Sequence, residues 1–334
     1  MAKKIMLTGG AGYIGSVLTR TLLANGFRVV VADRFFFGRD KLPQDSADLT
    51  VISKDVRALT RSDLDGVDCV IDLAAISNDP AGELDPQLTL DINLHARVRC
   101  AQLARETGVA RYILPSSSSV YGQQEGLLSE SAAVEPRTTY AAANAQAEAA
   151  VLDFAGDGFT VVVVRQATVF GMSQRMRLDL VVHKMVIQAV RRGLIPVLGD
   201  GQQCRPFVHI ADVADAFVRL IGAPAEIVTG QRFNLGGNTM NFRTRELAEI
   251  VGAETNVDRF DHYPGLDDRS HRMDFSKIES ILNFVPARTI QDGVRDVVAG
   301  LASGSVEETD PRCYTVPWYE QLLNSGGPGS PATF

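Results

Sequence analysis

Thr8-Gly9-Gly10-Ala11-Gly12-Tyr13-Ile14-Gly15 follows directly on the apolar run 5–7, and Asp33 closes the next apolar run, 29–32. The order is strand, glycine turn, helix, acid-tipped strand, and it decides the fold. A buried strand ending in a glycine turn lets the backbone approach a pyrophosphate, and the next helix turns its N-terminal N–H groups and positive dipole end toward it. Gly9, Gly12 and Gly15 supply the turn, and Tyr13 and Ile14 open the helix. A carboxylate at Asp33, with Arg34 beside it, accepts from both ribose hydroxyls and repels a 2′-phosphate. The expected cofactor is therefore NAD rather than NADP.

Outward from this stretch, short β-branched runs alternate with longer helical patterns, as in a parallel sheet covered on both faces. Strands are expected at 5–8, 29–32, 49–53, 69–73, 112–115 and 161–165, and helices at 13–24, 91–107 and 140–154. The fold class is α/β: a doubly wound, Rossmann-like parallel sheet with a second, smaller substrate-binding domain. Residues 1–170 read as the NAD-binding domain, to which about 205–235 return, and 171–204 with 236–324 as the substrate-binding region. The tail 325–334, rich in Gly, Ser and Pro, buries too little surface to order itself.

Composition excludes several classes. With 334 residues and 45% hydrophobic content the chain can build one large or two modest cores. Cys69, Cys100, Cys204 and Cys313 lack C-x-x-C spacing, and the histidines lack paired-ligand spacing, so neither a disulfide framework nor a metal is expected. A net charge of −7 speaks against a nucleic-acid partner. The apolar stretch after Lys3 and Lys4 is cut short by glycines, and no apolar run of about 18 residues occurs. The expectation is a cytoplasmic protein without a membrane partner.

Further along stand Ser116-Ser117-Ser118-Ser119-Val120-Tyr121-Gly122 and Pro136-x3-Tyr140-x3-Asn144-x3-Glu148. With Asp55-Val56, Leu73-Ala74-Ala75, Asn93, Leu198-Gly199-Asp200-Gly201 and Arg205-Pro206-Phe207-Val208-His209, this set resembles the extended short-chain dehydrogenase/reductases that act on nucleotide sugars. The resemblance implies that Asp55 and Val56 hold the adenine. It places Leu73, Ala74 and Ala75 in the cofactor site, the alanines on the nicotinamide side, and gives Asn93 a supporting role. It also implies a homodimer built on two helices, one of them carrying Tyr140.

Oxidising a sugar carbinol removes the hydroxyl proton as well as a hydride, so a base must lie within hydrogen-bond reach of that oxygen. The resemblance assigns this role to Tyr140, with Ser117 bonding the same oxygen. By residue type alone, Tyr140 reads as a packing residue at a helix start and the serines as a capping cluster. The resembled pattern is Tyr-x-x-x-Lys, but its lysine position here is Asn144. One helical turn brings Asn144 beside Tyr140, where it can bond the nicotinamide ribose but brings no charge. A free tyrosine titrates near about 10, so on the order of a thousandth is ionised at neutral pH. Rebuilt proton chemistry, a deliberate substitution and a weakened homologue all fit this departure. Asn144→Lys is expected to raise the rate near pH 7.

At the next two positions, where nucleotide-sugar dehydratases carry an acidic pair and uronate decarboxylases a glutamate, the chain has Ser118 and Ser119. Without an acid there, elimination is poorly supported. The reading is C4 epimerisation through a transient 4-keto sugar. The alternatives are a dehydratase or keto-sugar reductase of the same superfamily, or a catalytically weakened NAD-binding regulator. The expected substrate is a nucleotide-diphosphate sugar, touching Ser117, Ser118, Ser119 and Thr168. Arg205 matches the diphosphate-binding arginine, whose guanidinium grips two phosphate oxygens. Arg269, Arg272, Arg175 and Arg177 are further candidates, against a reading as solvated surface arginines.

Overall fold

The computed structural model describes residues 2–44, 46–265 and 270–325. The first half runs β1 (Lys4–Thr8), α1 (Tyr13–Ala24), β2 (Arg28–Asp33), β3 (Leu49–Ser53), β4 (Cys69–Asp72), α2 (Asp79–Gly82), α3 (Pro86–Leu90), α4 (Arg97–Glu106), β5 (Arg111–Ser117), β6 (Leu127–Leu128), α5 (Thr139–Leu152) and β7 (Thr160–Gln166). It continues with β8 (Thr168–Phe170), α6 (Val181–Arg192), β9 (Ile195–Leu198), β10 (Cys204–His209), α7 (Ile210–Gly222), α8 (Ala225–Val228), β11 (Gln231–Leu235), β12 (Asn241–Arg243), α9 (Thr244–Thr255), β13 (Phe260–Tyr263), β14 (Arg272–Met273), α10 (Ser276–Leu282), α11 (Ile290–Ser303) and α12 (Thr315–Asn324).

Seven strands form one parallel sheet in the order β11-β7-β5-β4-β1-β2-β3. β7 is buried along its whole length, as a central strand covered on both faces must be. Ile5 and Leu7 pack on one face with Leu18, Leu22, Phe217 and Leu220 of α1 and α7. Met6 points to the other, where Cys100, Ala101 and Ala104 of α4 meet Ala147 and Val151 of α5. The strand order reverses between β1 and β4, and a ligand crevice opens at the carboxyl ends of strands at such a switch point.

A buried ion pair ties α5 to the sheet. Arg165 on β7 meets the Glu148 carboxylate at 2.7 Å, Ser116 donates to Glu148 at 2.5 Å, and Arg165 donates to the Tyr121 hydroxyl at 2.9 Å. Between α3 and α4 the helix passes through a π-helical stretch, Asp91–Ala96, and both Asn93 and Arg97 are buried there.

The smaller region is built on α6, α9 and α11, with Met185, Val186, Leu247, Val251, Val294 and Val297 in its core. The last described helix does not belong to that region. α12 comes back to the cofactor side, where Trp318 donates to the Phe36 carbonyl at 2.8 Å and Tyr319 is buried among Ile76, Leu88 and Ile92. Residues 315–324 thus lie against the cofactor half, because an aromatic pair at 318 and 319 covers apolar surface beside β2. Residues 326–334, expected from composition to be a disordered tail, lie outside the described residues.

Candidate active site

Two adjoining cavities open at the switch point. The first is a groove lined by Gly9, Gly12, Tyr13, Ile14 and Gly15, by Asp33 and Arg34, by Asp55 and Val56, and by Leu73, Ala74 and Ala75. Every cofactor residue expected from the sequence lies on it except Asn93, Tyr140 and Asn144. Gly9 has φ +65°, and a Cβ there would sit 2.9 Å from the Ala74 backbone. A Cβ on Gly15 would sit 2.4 Å from Gly9 O, so turn and helix close against each other without side chains.

Asp33 closes the groove at the end of β2. It accepts from Ala11 N at 2.9 Å and Phe35 N at 2.7 Å, one bond to each oxygen, which leaves lone pairs for ribose hydroxyls. Burial raises its carboxyl above the usual range. Asp55 caps the turn that carries Val56, accepting from Arg57 N at 2.8 Å, and pairs with Arg34 at 3.1 Å. Ala74 N donates to Thr8 Oγ1 at 3.0 Å, and that hydroxyl donates to Asp72. Asn93 stands behind the wall, accepting from Ile76 N at 2.9 Å and donating to Ile76 O at 3.0 Å. These donors, the glycine turn and the carboxylate fit an adenine dinucleotide.

The groove has a cationic side, and one of its residues, Arg177, also reaches the second cavity. Arg175 and Arg177 line it, and both are buried rather than solvated. The Arg175 guanidinium lies 3.6 Å over the Phe37 ring and donates to Thr315 at 3.2 Å, while its Nε is buried without a partner. A buried cation facing a dinucleotide groove suits a pyrophosphate better than a sugar.

The second cavity gathers the candidate catalytic residues. Ser117, at the end of β5, and Tyr140, in the first turn of α5, both line it, and the polar Ser117 side chain eases loss of the Tyr140 proton. α5 starts there because Thr138 caps it, accepting from Ala141 N at 3.1 Å. Burial raises the Tyr140 hydroxyl above its ordinary range; Arg97 is the first charge opposing that rise, and Asp79 adds to it. Ser118, Ser119, Thr168 and Arg205 also line this cavity. Lys184 lies over the Tyr263 ring at 5.1 Å.

Three expectations change. Arg272 is exposed on β14, because the strand turns Met273 inward, and it does not line the cavity; Arg269 lies outside the described residues. Asn144 lines neither cavity: it is 1% exposed, donates to Tyr140 O at 2.8 Å and accepts from Arg97 at 2.7 Å. The absence of acids at 118 and 119 does not leave the cavity without one, since α2 brings in Asp79. Asp79 accepts from Ser119 at 3.2 Å and from Thr138 at 2.7 Å, so both oxygens serve as acceptors. No spacing in the chain points to Asp79 or Arg97, whose roles come from helices folding over the switch point.

The sequence pattern of the NAD dependent epimerase/dehydratase family matches residues 5–236. The chain belongs to this family. Its NAD dependence and Rossmann-like sheet follow from that membership. Among relatives, an uncharacterized UDP-glucose epimerase, YtcB, of Bacillus subtilis strain 168 is 28% identical over 90% of this chain and 98% of its own length. UDP-glucuronic acid decarboxylase 1 of Arabidopsis thaliana is 30% identical over 92% of this chain and 72% of its own. MoeE5, solved in complex with UDP-glucuronic acid and NAD, superposes with a TM-score of 0.78 at 27% identity, covering 90% of this chain and 99% of MoeE5. The family thus spans epimerases and decarboxylases on one NAD-binding fold. Among the described residues no helix is long and apolar enough to cross a membrane, and no group of three or more His, Cys, Asp or Glu could hold a metal.

Proposed function

We propose that the protein is an NAD-dependent nucleotide-sugar epimerase acting at C4. The observation that carries this reading is the Ser117–Tyr140 hydroxyl pair in a cavity adjoining the dinucleotide groove, bordered by the hydroxyls of Ser118 and Ser119. Tyr140 takes the proton of the sugar 4-hydroxyl while Ser117 bonds the same oxygen. NAD, when bound, would accept the C4 hydride and give it back to the opposite face of the same carbon. Arg205 holds the diphosphate, leaving the 4-keto sugar free to present its other face, and Tyr140 then returns the proton. The cycle is redox-neutral, so the site needs no outside reductant.

A UDP-linked hexose or uronate is the substrate class that MoeE5 and the Arabidopsis relative support by likeness. Dehydration is the second reading, and Asp79 is what favours it. Both its oxygens accept hydroxyl hydrogen bonds, which disposes it to order Ser119 and Thr138 rather than to protonate a leaving group. The reading extends to a cytoplasmic homodimer through α5, whose many alanines permit close helix approach.

Incubation with a panel of nucleotide sugars tests it. Products of unchanged mass with inversion at C4 by proton NMR are expected. A product lighter by one water or one carbon dioxide in the first turnovers would overturn the epimerase reading.

A further inference from the structure

Arg97 opens α4 at 3% exposure, and its side chain donates to Asn144 Oδ1 at 2.7 Å. Its Nε is buried with no partner, and among the described residues it forms no ion pair. A buried guanidinium without an anion is costly, so its position calls for a function. Asn144 turns its other end to Tyr140, donating to the Tyr140 carbonyl one turn away on α5.

The charged groups that act on Tyr140 are Arg97 from α4, Asp79 from α2 and Arg177 from the segment after β8, with the polar Ser117 acting on its hydroxyl from β5. They are not equivalent. The Arg177 charge is met by Asp179 at 2.7 Å, whereas among the described residues no carboxylate lies within ion-pair distance of Arg97. Asp72 also feels the Arg97 charge from the sheet side, and its two oxygens are already taken by the hydroxyls of Thr8 and Tyr112. The Arg97 charge therefore acts on both Asp72 and Tyr140.

We propose that Arg97 is the positioning cation of this site, held by Asn144 and acting on the Tyr140 hydroxyl as the charge that favours loss of its proton. It rests on reading Tyr140 as the proton acceptor. Arg97 touches no reacting atom.

The test reads Tyr140 without a substrate. Alkaline ultraviolet difference titration of the NAD-containing protein, parent minus Tyr140→Phe, isolates one tyrosinate among seven tyrosines. Arg97→Met should move that midpoint up by about one pH unit or more, and Arg97→Lys should hold it within about half a unit of the parent. A structural role would lower the melting temperature of both variants and leave the midpoints together. A folded Arg97→Met protein with an unmoved midpoint overturns the proposal. If Arg97→Met does not fold, Asn144→Ala carries the test, because it cuts the link: a raised midpoint supports the assignment and an unchanged one overturns it. A moved midpoint in a protein that epimerises no sugar would sink the epimerase reading and leave this assignment standing.

Discussion

His183 accepts a hydrogen bond from Gly171 N at 2.9 Å through Nε2, while its Nδ1 faces the Arg177 carbonyl at 2.7 Å. This geometry uses the neutral ring with the proton on Nδ1, since a second proton would point at an N–H group. Burial accordingly pulls the imidazole down to about 4 from its ordinary 6.5. Between those values the unfolded chain binds the extra proton and the folded one does not. Stability therefore rises with pH through that window, is flat above it, and falls by roughly 3 kcal/mol on acidification from pH 7 to pH 4. Urea unfolding at pH 5 and pH 7.5 checks this: His183→Gln should flatten the difference, and parallel curves would assign it elsewhere.

Asp33 lines the groove at the end of β2, and each of its oxygens accepts one backbone bond and keeps further lone pairs. Asp33→Ala should weaken NAD binding by about 1–3 kcal/mol, the scale of charge-assisted hydrogen bonds. Calorimetry with NAD and NADP measures it. A variant that loses no affinity, or a parent that prefers NADP, contradicts the assignment.

Glu148→Ala leaves Arg165 buried without its anion, and the expected loss is about 3–5 kcal/mol. Since Glu148 also accepts from Ser116 on β5, the melt should be accompanied by a loosening of α5. Thermal denaturation and amide exchange at the start of that helix give the two readings. A drop below 1 kcal/mol would mean water replaces the pair.

The sign of the Asn144→Lys effect reverses once Arg97 is in view. From the sequence the substitution adds a missing cation; in the structure it sets a second cation at the place of a 2.7 Å contact with a buried guanidinium. The single variant should lose about 1–3 kcal/mol of stability and gain no rate at pH 7. Combined with Arg97→Met, the same substitution should recover both. A single variant as stable as the parent would show that the two side chains do not share the space.

The sheet was legible because its strands carry their signal locally: β-branched runs bounded by glycines, and an acid at the tip of β2. The groove was legible for the same reason, as Gly9, Asp33, Asp55 and Ala74 sit at strand ends that the topology gathers at one edge. What escaped was set by packing between elements distant in sequence. Asp79 reaches Ser119 from 40 residues away and Arg97 reaches Asn144 from 47, both on helices whose periodicity describes a buried face but not its neighbour. Arg175 reads equally as a ligand or a surface residue until Phe37 and Thr315 close around it. Arg272 erred the other way, since a two-residue strand has no periodicity to tell which side chain turns inward.

The groove that begins at Gly9 is completed by Tyr319, a residue placed only after the whole smaller region has been made. A nascent chain shorter than that has the glycine turn and Asp33 but lacks one wall. Firm capture of the dinucleotide thus waits for late synthesis, and a retained cofactor becomes a mark of a finished fold: partial chains, or chains whose α12 has been clipped, would be told apart by the nucleotide they fail to keep.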